Sequence, residues 1–313
     1  MPDHPFSPDV TEPHQAWAPL AARVGQLLDR VEHLLGAGAA ATVDWSASTA
    51  FRCRAASGPW GSARLVLEPV GQVAPMALDA LLEVDDQKER LRANTEQFVR
   101  GLPANHVLLT GARGTGKSSL IKAVLQHYAP RGLRLIEVDK EDLARLPEVM
   151  ALVAGRPERF VVYCDDLSFD EGESGYKALK SALDGTISAQ GDNVLIYATS
   201  NRRHLLPERF SDNLSTNRSD DGEIHPGEAI EEKISLSERF GLWLSFYPFS
   251  QDQYLAITGQ WLRHLGASDE QVAQARPHAL TWATQRGSRS GRVAQQFARD
   301  HMGRISLALG DPA

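Results

Sequence analysis

Residues 105–125 read NHVLLTGARGTGKSSLIKAVL. Val107, Leu108 and Leu109 make a short apolar run with the character of a buried parallel strand. Gly111-Ala112-Arg113-Gly114-Thr115-Gly116-Lys117-Ser118 follows at once and fits G-x-x-x-x-G-K-[ST]. From Ser119 to His127 the spacing becomes helical, with Leu120, Ile121, Val124 and Leu125 on one face. The order strand, glycine loop, helix is the context in which such a loop binds phosphate.

The residue types follow from that chemistry. Backbone N–H groups can wrap a phosphate chain only where side chains leave room. Gly111, Gly114 and Gly116 leave that room and admit positive φ. The N-terminus of the following helix adds partial positive charge. The expected nucleotide contacts are Gly111, Ala112, Arg113, Gly114, Thr115, Gly116, Lys117, Ser118 and Ser119. Lys117 is expected to reach the β- and γ-phosphates, and the Ser118 hydroxyl to ligate Mg²⁺.

Composition bounds the remainder. A chain of 313 residues holds one large α/β domain and a smaller one. With 42% hydrophobic and 23% charged residues it is globular in character rather than disordered. The formal net charge of -7 argues against the whole surface binding nucleic acid and leaves only a local patch for that role. Cys53 and Cys164 are the only cysteines and sit in dissimilar contexts, which points to a reducing compartment and no disulfide framework. The first fifteen residues are Pro-rich and acidic, without the basic start and apolar core of a signal peptide. Leu34 to Val43 falls far short of the ~20 apolar residues of a membrane span. The expected location is cytoplasmic, with no membrane partner. The histidines form no zinc pattern, and no G-x-S-x-G elbow is present.

Along the chain, residues 1–15 read as a loose tail and Ala16 to Leu35 as an amphipathic helix. Thr49–Arg54 and Ala63–Val70 alternate like strands, so residues 1–80 are expected to form a small α+β region of unreadable role. Leu81 to Gly101 reads mostly as helix, stopped by Gly101 and Pro103. Further strands are expected at Leu133–Val138, Phe160–Cys164, Val194–Ala198 and Leu242–Tyr247, a spacing that implies a mainly parallel sheet covered on both faces. Ser211 to Lys233 is acidic and loop-like. From Gln251 the reading is all helix, in three segments, with Pro277 expected to split or kink the middle one.

Four further constellations carry chemistry. Phe160–Cys164 is an apolar strand that ends in Asp165-Asp166, and ligands of parallel sheets bind beyond the carboxyl ends of strands. Asp165 is the candidate for holding the Mg²⁺ shell and Asp166 for orienting or deprotonating water; Asp-Asp also starts turns. Val194–Ala198 leads into Thr199-Ser200-Asn201, where Asn201 can meet a γ-phosphate or hold the water while Thr199 and Ser200 read as turn residues. Arg239 precedes the last strand and fits either a trans contact with a neighbouring subunit's γ-phosphate or a salt bridge with Glu238 or Glu232. Arg292 falls in the first turn of the last helix, behind a Ser288 or Ser290 cap, and the cluster of Arg286, Arg289, Arg292, Arg299 and Arg304 also suits a phosphate backbone.

With these pieces in this order, residues 81 to about 304 resemble the AAA+ ATPase superfamily. In that resemblance Gly111–Ser118 is Walker A, Phe160–Asp166 Walker B, Asn201 sensor 1, Arg239 the arginine finger and Arg292 sensor 2. Asn94–Asn105, Cys164–Phe169, Ala198–His204 and Glu223–Tyr247 further resemble an uncharacterised bacterial family of AAA+ type. The resemblance implies a P-loop NTPase fold of the α/β class, with a five-stranded parallel sheet in the order 5-1-4-3-2. It implies a nucleotide-binding domain over 81–250, a helical lid over 251–313, and adenine between Leu81–Asp85 and the lid. It also implies ATP and Mg²⁺ as cofactors, a homo-oligomer joined through the trans arginine, and a macromolecular partner acted on through ATP hydrolysis. Two departures matter. Most members follow the Mg²⁺-associated Asp with Glu, and Asp166 is one methylene shorter, which favours slow turnover or an ATP-gated binding switch. Arg202 and Arg203 compete with Arg239 for the trans role.

Overall fold

The computed structural model describes residues 23–24, 43–57, 63–169, 174–184, 192–201, 205, 217–218, 224–225 and 236–309. The expected tail over 1–15, most of the helix over 16–35, most of the acidic segment, and Arg202 and Arg203 lie outside them. The chain divides into two units: Met1–Asp44 with Ala55–Val66, and Trp45–Arg54 with Leu67–Ala313. Of the first, the described residues are chiefly the outer parts of two strands. The second carries everything that follows.

The strands are β1 (Ala50–Ser57, in the second unit up to Arg54), β2 (Ala63–Pro69, in the second unit from Leu67), β3 (Val107–Gly111), β4 (Leu133–Glu137), β5 (Arg159–Cys164), β6 (Val194–Ser200) and β9 (Leu242–Phe246); β7 (Asn217–Arg218) and β8 (Ile224–His225) form a separate antiparallel pair. Its helices are α1 (Asp85–Val99), α2 (Lys117–Tyr128), α3 (Leu146–Val153), α4 (Ser174–Asp184), α5 (Gln251–His264), α6 (Asp269–Gln285) and α7 (Gly291–Leu309).

The expectation of a five-stranded sheet is corrected. The sheet has seven strands in the order β2-β1-β4-β5-β6-β3-β9. Strands β1, β4, β5, β6, β3 and β9 pair in parallel, each with its neighbour. The two added strands are those expected in a separate N-terminal region. They extend the sheet because Ala50, Phe51 and Arg52 align with Leu135, Ile136 and Glu137 of β4. The cross-strand Arg52–Glu137 pair at 2.9 Å and the edge-on stacking of Trp45 on Phe51 and Phe160 fix that register.

The parallel strands read as near-continuous apolar runs because both faces are covered. Val107 and Leu109 of β3, Val161 and Tyr163 of β5, and Leu195 and Tyr197 of β6 pack with Leu91 and Phe98 of α1 and with Leu120, Ile121 and Val124 of α2. Phe160, Val162 and Cys164, on the alternate positions of β5, are buried as well. Each fully buried leucine contributes about 2 kcal/mol relative to exposure.

Three helices follow β9. Helix α5 is opened by Ser250 and Gln253, and α6 by Ser268 and Gln271, in reciprocal capping boxes. Of the split or kink expected at Pro277, the split is absent: α6 is one helix through it. Ala275, Ala279 and Ala283 are buried along one side of the helix, so packing holds it across the missing hydrogen bond. Among the described residues, no helix is long and apolar enough to cross a membrane. Both cysteines are free and buried, and burial pushes the Cys53 thiol up to about 12.

Candidate functional site

The sheet order brings three strand ends together. β3 lies between β6 and β9, and β6 lies between β3 and β5. The glycine loop after β3, Asp165-Asp166 after β5 and Asn201 after β6 therefore leave the same edge of the sheet side by side. They bound a cleft of about 380 Å³ lined by Arg113 to Ser119, Asp165, Asp166, Thr199, Asn201 and Arg292, among others.

Glycines shape the loop for stated reasons. A Cβ on Gly111 (φ +131°) would stand 1.9 Å from the Phe246 carbonyl oxygen of β9. A Cβ on Gly116 (φ +101°) would meet nothing within 4 Å, so the space over the first turn of α2 is open. Lys117 follows and its side chain folds back, donating to the carbonyls of Gly111 at 2.7 Å and Ala112 at 2.8 Å and to Asn201 Oδ1 at 3.1 Å. Burial lowers the Lys117 pKa below the usual lysine value, and Asp165 and Asp166 partly offset this.

The acidic side is equally ordered. Ser118 Oγ donates to Asp165 Oδ1 at 2.9 Å, and the Thr199 hydroxyl donates to the same oxygen. Burial alone would raise the Asp165 pKa; hydrogen bonds, that from Thr199 foremost, outweigh it and hold the carboxyl below the usual range. Asp166 adopts φ +50°, one of two non-glycine residues with positive φ among those described. Its N–H donates to Thr199 Oγ1 at 2.9 Å, and the Leu167 N–H donates to the Thr199 carbonyl at 2.7 Å. Thus Thr199, which reads as a turn residue in the sequence, ties both aspartates in place. The Asp166 carboxylate accepts from Asn201 Nδ2 and lies 3.3 Å from Arg113 Nη2.

The other wall is apolar: Met76, Ala80, Leu81, Leu82 and Val84 face Ile257 and Trp261 of α5. The helix expected from Leu81 begins only at Asp85. Glu83, with φ +64°, is the second strained residue; Leu81 before it is extended, and Leu81, Leu82 and Val84 line the cleft. From the C-terminal helices, Gly291 N–H donates to the Gly114 carbonyl at 2.8 Å, and Ser290 accepts from Val293 N–H as the cap of α7. This seats Arg292 and Gln295 at the cleft.

Of the candidates from sequence, the structure gathers Arg113 to Ser119, Asp165, Asp166, Asn201 and Arg292 on the cleft walls, with Gly111 and Ala112 beneath as acceptors for Lys117. Arg239 is not among the residues lining the cleft; it pairs with Asp184 at the end of α4, and Glu232 lies outside the described residues. The expected basic cluster is divided: Arg286 lies over the Trp282 ring, Arg304 pairs with Asp300, and Arg292 faces the cleft.

The residues fit a magnesium nucleotide. The donor set is one hydroxyl beside one carboxylate, both hard oxygens. No group of three or more His, Cys, Asp or Glu suited to a metal exists among the described residues. Mg²⁺ that keeps its waters and takes phosphate oxygens needs no larger protein cage.

Comparisons with known proteins return remote structural matches. A RuvB point mutant from Thermotoga maritima is 17% identical, with 74% of this chain and 68% of that chain covered and a TM-score of 0.49. The FIGL-1 AAA domain in complex with ADP is 16% identical, with 74% of each chain covered and a TM-score of 0.49. A chain from the HORMA:CdnC:Trip13 complex of E. coli MS115-1 is 13% identical, with 71% and 90% covered and a TM-score of 0.45. The chain's own topology is a mainly parallel α/β sheet with helices around it and a glycine loop between β3 and α2. No curated protein matches the sequence. Residues 52–305 match the profile of one family, and the chain belongs to that family, described as Protein of unknown function (DUF815).

Proposed function

We propose that the cleft binds ATP with Mg²⁺ and hydrolyses it, and that the cycle drives remodelling or loading of a macromolecular partner. The observation that carries this is the convergence of Lys117, the Ser118–Asp165 pair and the Asp166–Asn201 pair at three neighbouring strand ends. Phosphoryl transfer needs little covalent help from the protein; it needs positioning and charge stabilisation. Backbone N–H groups of residues 113–118 would hold the phosphates, and Lys117 would neutralise them. Ser118 and Asp165 would hold Mg²⁺, which when bound supplies charge stabilisation on the phosphate oxygens. Asp166 and Asn201 would place the attacking water. The nucleobase would lie between Leu81–Val84 and Trp261.

In this reading residues 81–250 carry the loop and the acidic wall, and residues 251–313 form a lid that brings Arg292 to the terminal phosphate. Residues 1–80 have no assigned role beyond the two strands they add. Arg239 acts on a neighbouring copy in a homo-oligomer, held ready by Asp184. The free cysteines suit a cytoplasmic protein.

The test is phosphate release with Mg²⁺ and ATP. Wild type should turn over, and Lys117→Ala and Asp166→Ala should each lose about a hundredfold or more. Turnover at the wild-type rate in Lys117→Ala would overturn the reading. A second reading, a slow ATP-gated switch, is favoured by the short carboxylate of Asp166 in its left-handed conformation. It predicts a rise in turnover in Asp166→Glu, where the main reading predicts none.

A further inference from the structure

We infer that Arg113 is a specificity-determining residue, whose guanidinium masks the Asp166 carboxylate and so sets the preference for a nucleoside triphosphate over a diphosphate. The inference rests on the nucleotide-binding reading and deepens it.

Asp166 is held where it stands. Its φ is +50°, its N–H is bound to Thr199 at 2.9 Å, and the next N–H is bound to the Thr199 carbonyl at 2.7 Å. With a single methylene the carboxylate has less reach to swing aside than a glutamate would have. Its two oxygens face Asn201 and Arg113. Asn201 in turn accepts from Lys117 at 3.1 Å. A line of contacts thus runs Arg113–Asp166–Asn201–Lys117, from one end of the glycine loop to the other, across the place where a terminal phosphate would stand.

A fixed carboxylate there repels a third phosphate and spares a diphosphate that ends short of it. The cleft is lined by three cations, Arg113, Lys117 and Arg292. Lys117 is engaged by the carbonyls of Gly111 and Ala112. Arg292 enters from α7. Of these three, Arg113 makes the ion pair with Asp166, at 3.3 Å. The side chains are 75% and 53% exposed, so the pair adds little to folding and Arg113 is removable without loss of the structure.

The test is titration calorimetry with Mg²⁺, using ADP and the slowly hydrolysed ATPγS, on full-length wild type, Arg113→Ala, Arg113→Lys, Asp166→Asn and the Arg113→Ala/Asp166→Asn pair. Arg113→Ala should weaken ATPγS about tenfold and ADP less than about twofold. Arg113→Lys should keep most of the preference. In the Asp166→Asn background, where no charge needs masking, loss of Arg113 should change the ATPγS/ADP ratio less than about twofold. Equal weakening of both nucleotides by Arg113→Ala, or an undiminished loss in the Asp166→Asn background, would overturn the inference while wild-type binding upholds the nucleotide site. Absence of binding by folded wild type would instead overturn the underlying reading, and the inference with it.

Discussion

Replacing Gly111 by alanine separates the architectural role of the glycine loop from its binding role. The new Cβ would lie 1.9 Å from the carbonyl oxygen, 2.7 Å from the carbonyl carbon and 3.0 Å from the nitrogen of Phe246. All three are backbone atoms of β9, and Gly111 is aligned with Phe246 in the ladder. Relief needs a retreat of more than about 1 Å by a strand whose Leu244 and Phe246 are buried. The φ of +131° adds about 1–2 kcal/mol of backbone strain. One or two weakened ladder bonds cost about 1 kcal/mol each. Together with repacking around Phe246, the loss should reach about 4 kcal/mol, or a fall in Tm on the order of 10 °C. Gly116→Ala is the matched control. It carries the positive φ but meets no atom within 4 Å, so it should cost only about 1–2 kcal/mol while its methyl enters the phosphate space and weakens nucleotide binding. Thermal and urea unfolding of both variants without nucleotide decide the matter. If Gly111→Ala is within about 1 kcal/mol of wild type, or less destabilised than Gly116→Ala, the close approach of β3 and β9 is wrong.

Other expectations follow from single contacts. His106 is partly buried, its Nδ1 accepts from Ile196 N–H at 3.0 Å, and desolvation lowers its pKa to about 4. The unfolded chain therefore binds a proton that the folded one refuses, so stability is full above about pH 6.5 and falls by roughly 3 kcal/mol as pH drops to about 4. His106→Gln, which retains an acceptor, should flatten that slope in urea unfolding; an unchanged slope would assign it to other groups. Thr199→Val keeps the shape but removes the donor to Asp165 and the acceptor for Asp166 N–H, and should cost about 1–3 kcal/mol along with most of the turnover. Unaltered turnover would remove Thr199 from the site. Arg239→Ala should lower turnover in the assembled protein, and mixing in Lys117→Ala subunits that keep Arg239 should restore part of it; no restoration at any ratio would exclude a trans role.

Much of the site is readable in the sequence because its signals are local. A glycine loop between an apolar strand and an amphipathic helix, and an apolar strand ending in Asp165-Asp166, need no knowledge of distant partners. What escapes is non-local. β1 and β2 alternate like any half-covered strands, and nothing in them announces that β4, more than eighty residues away in register, is the partner. Leu81 and Leu82 sit at positions compatible with the helix that follows, yet the left-handed Glu83 separates them from it and both line the cleft. Thr199 resembles a strand-terminating residue until β6 is set beside β5 and its hydroxyl meets Asp165. Likewise Arg239 meets Asp184, 55 positions earlier, a contact that no local pattern announces.

Nucleotide binding is the point on which the functional account turns. Titration of folded wild-type protein with ATP and ADP in the presence of Mg²⁺ should give saturable heat at one site per chain, lost in Lys117→Ala although that variant remains folded. Absence of heat from wild type with either nucleotide, or undiminished binding by Lys117→Ala, would contradict the account.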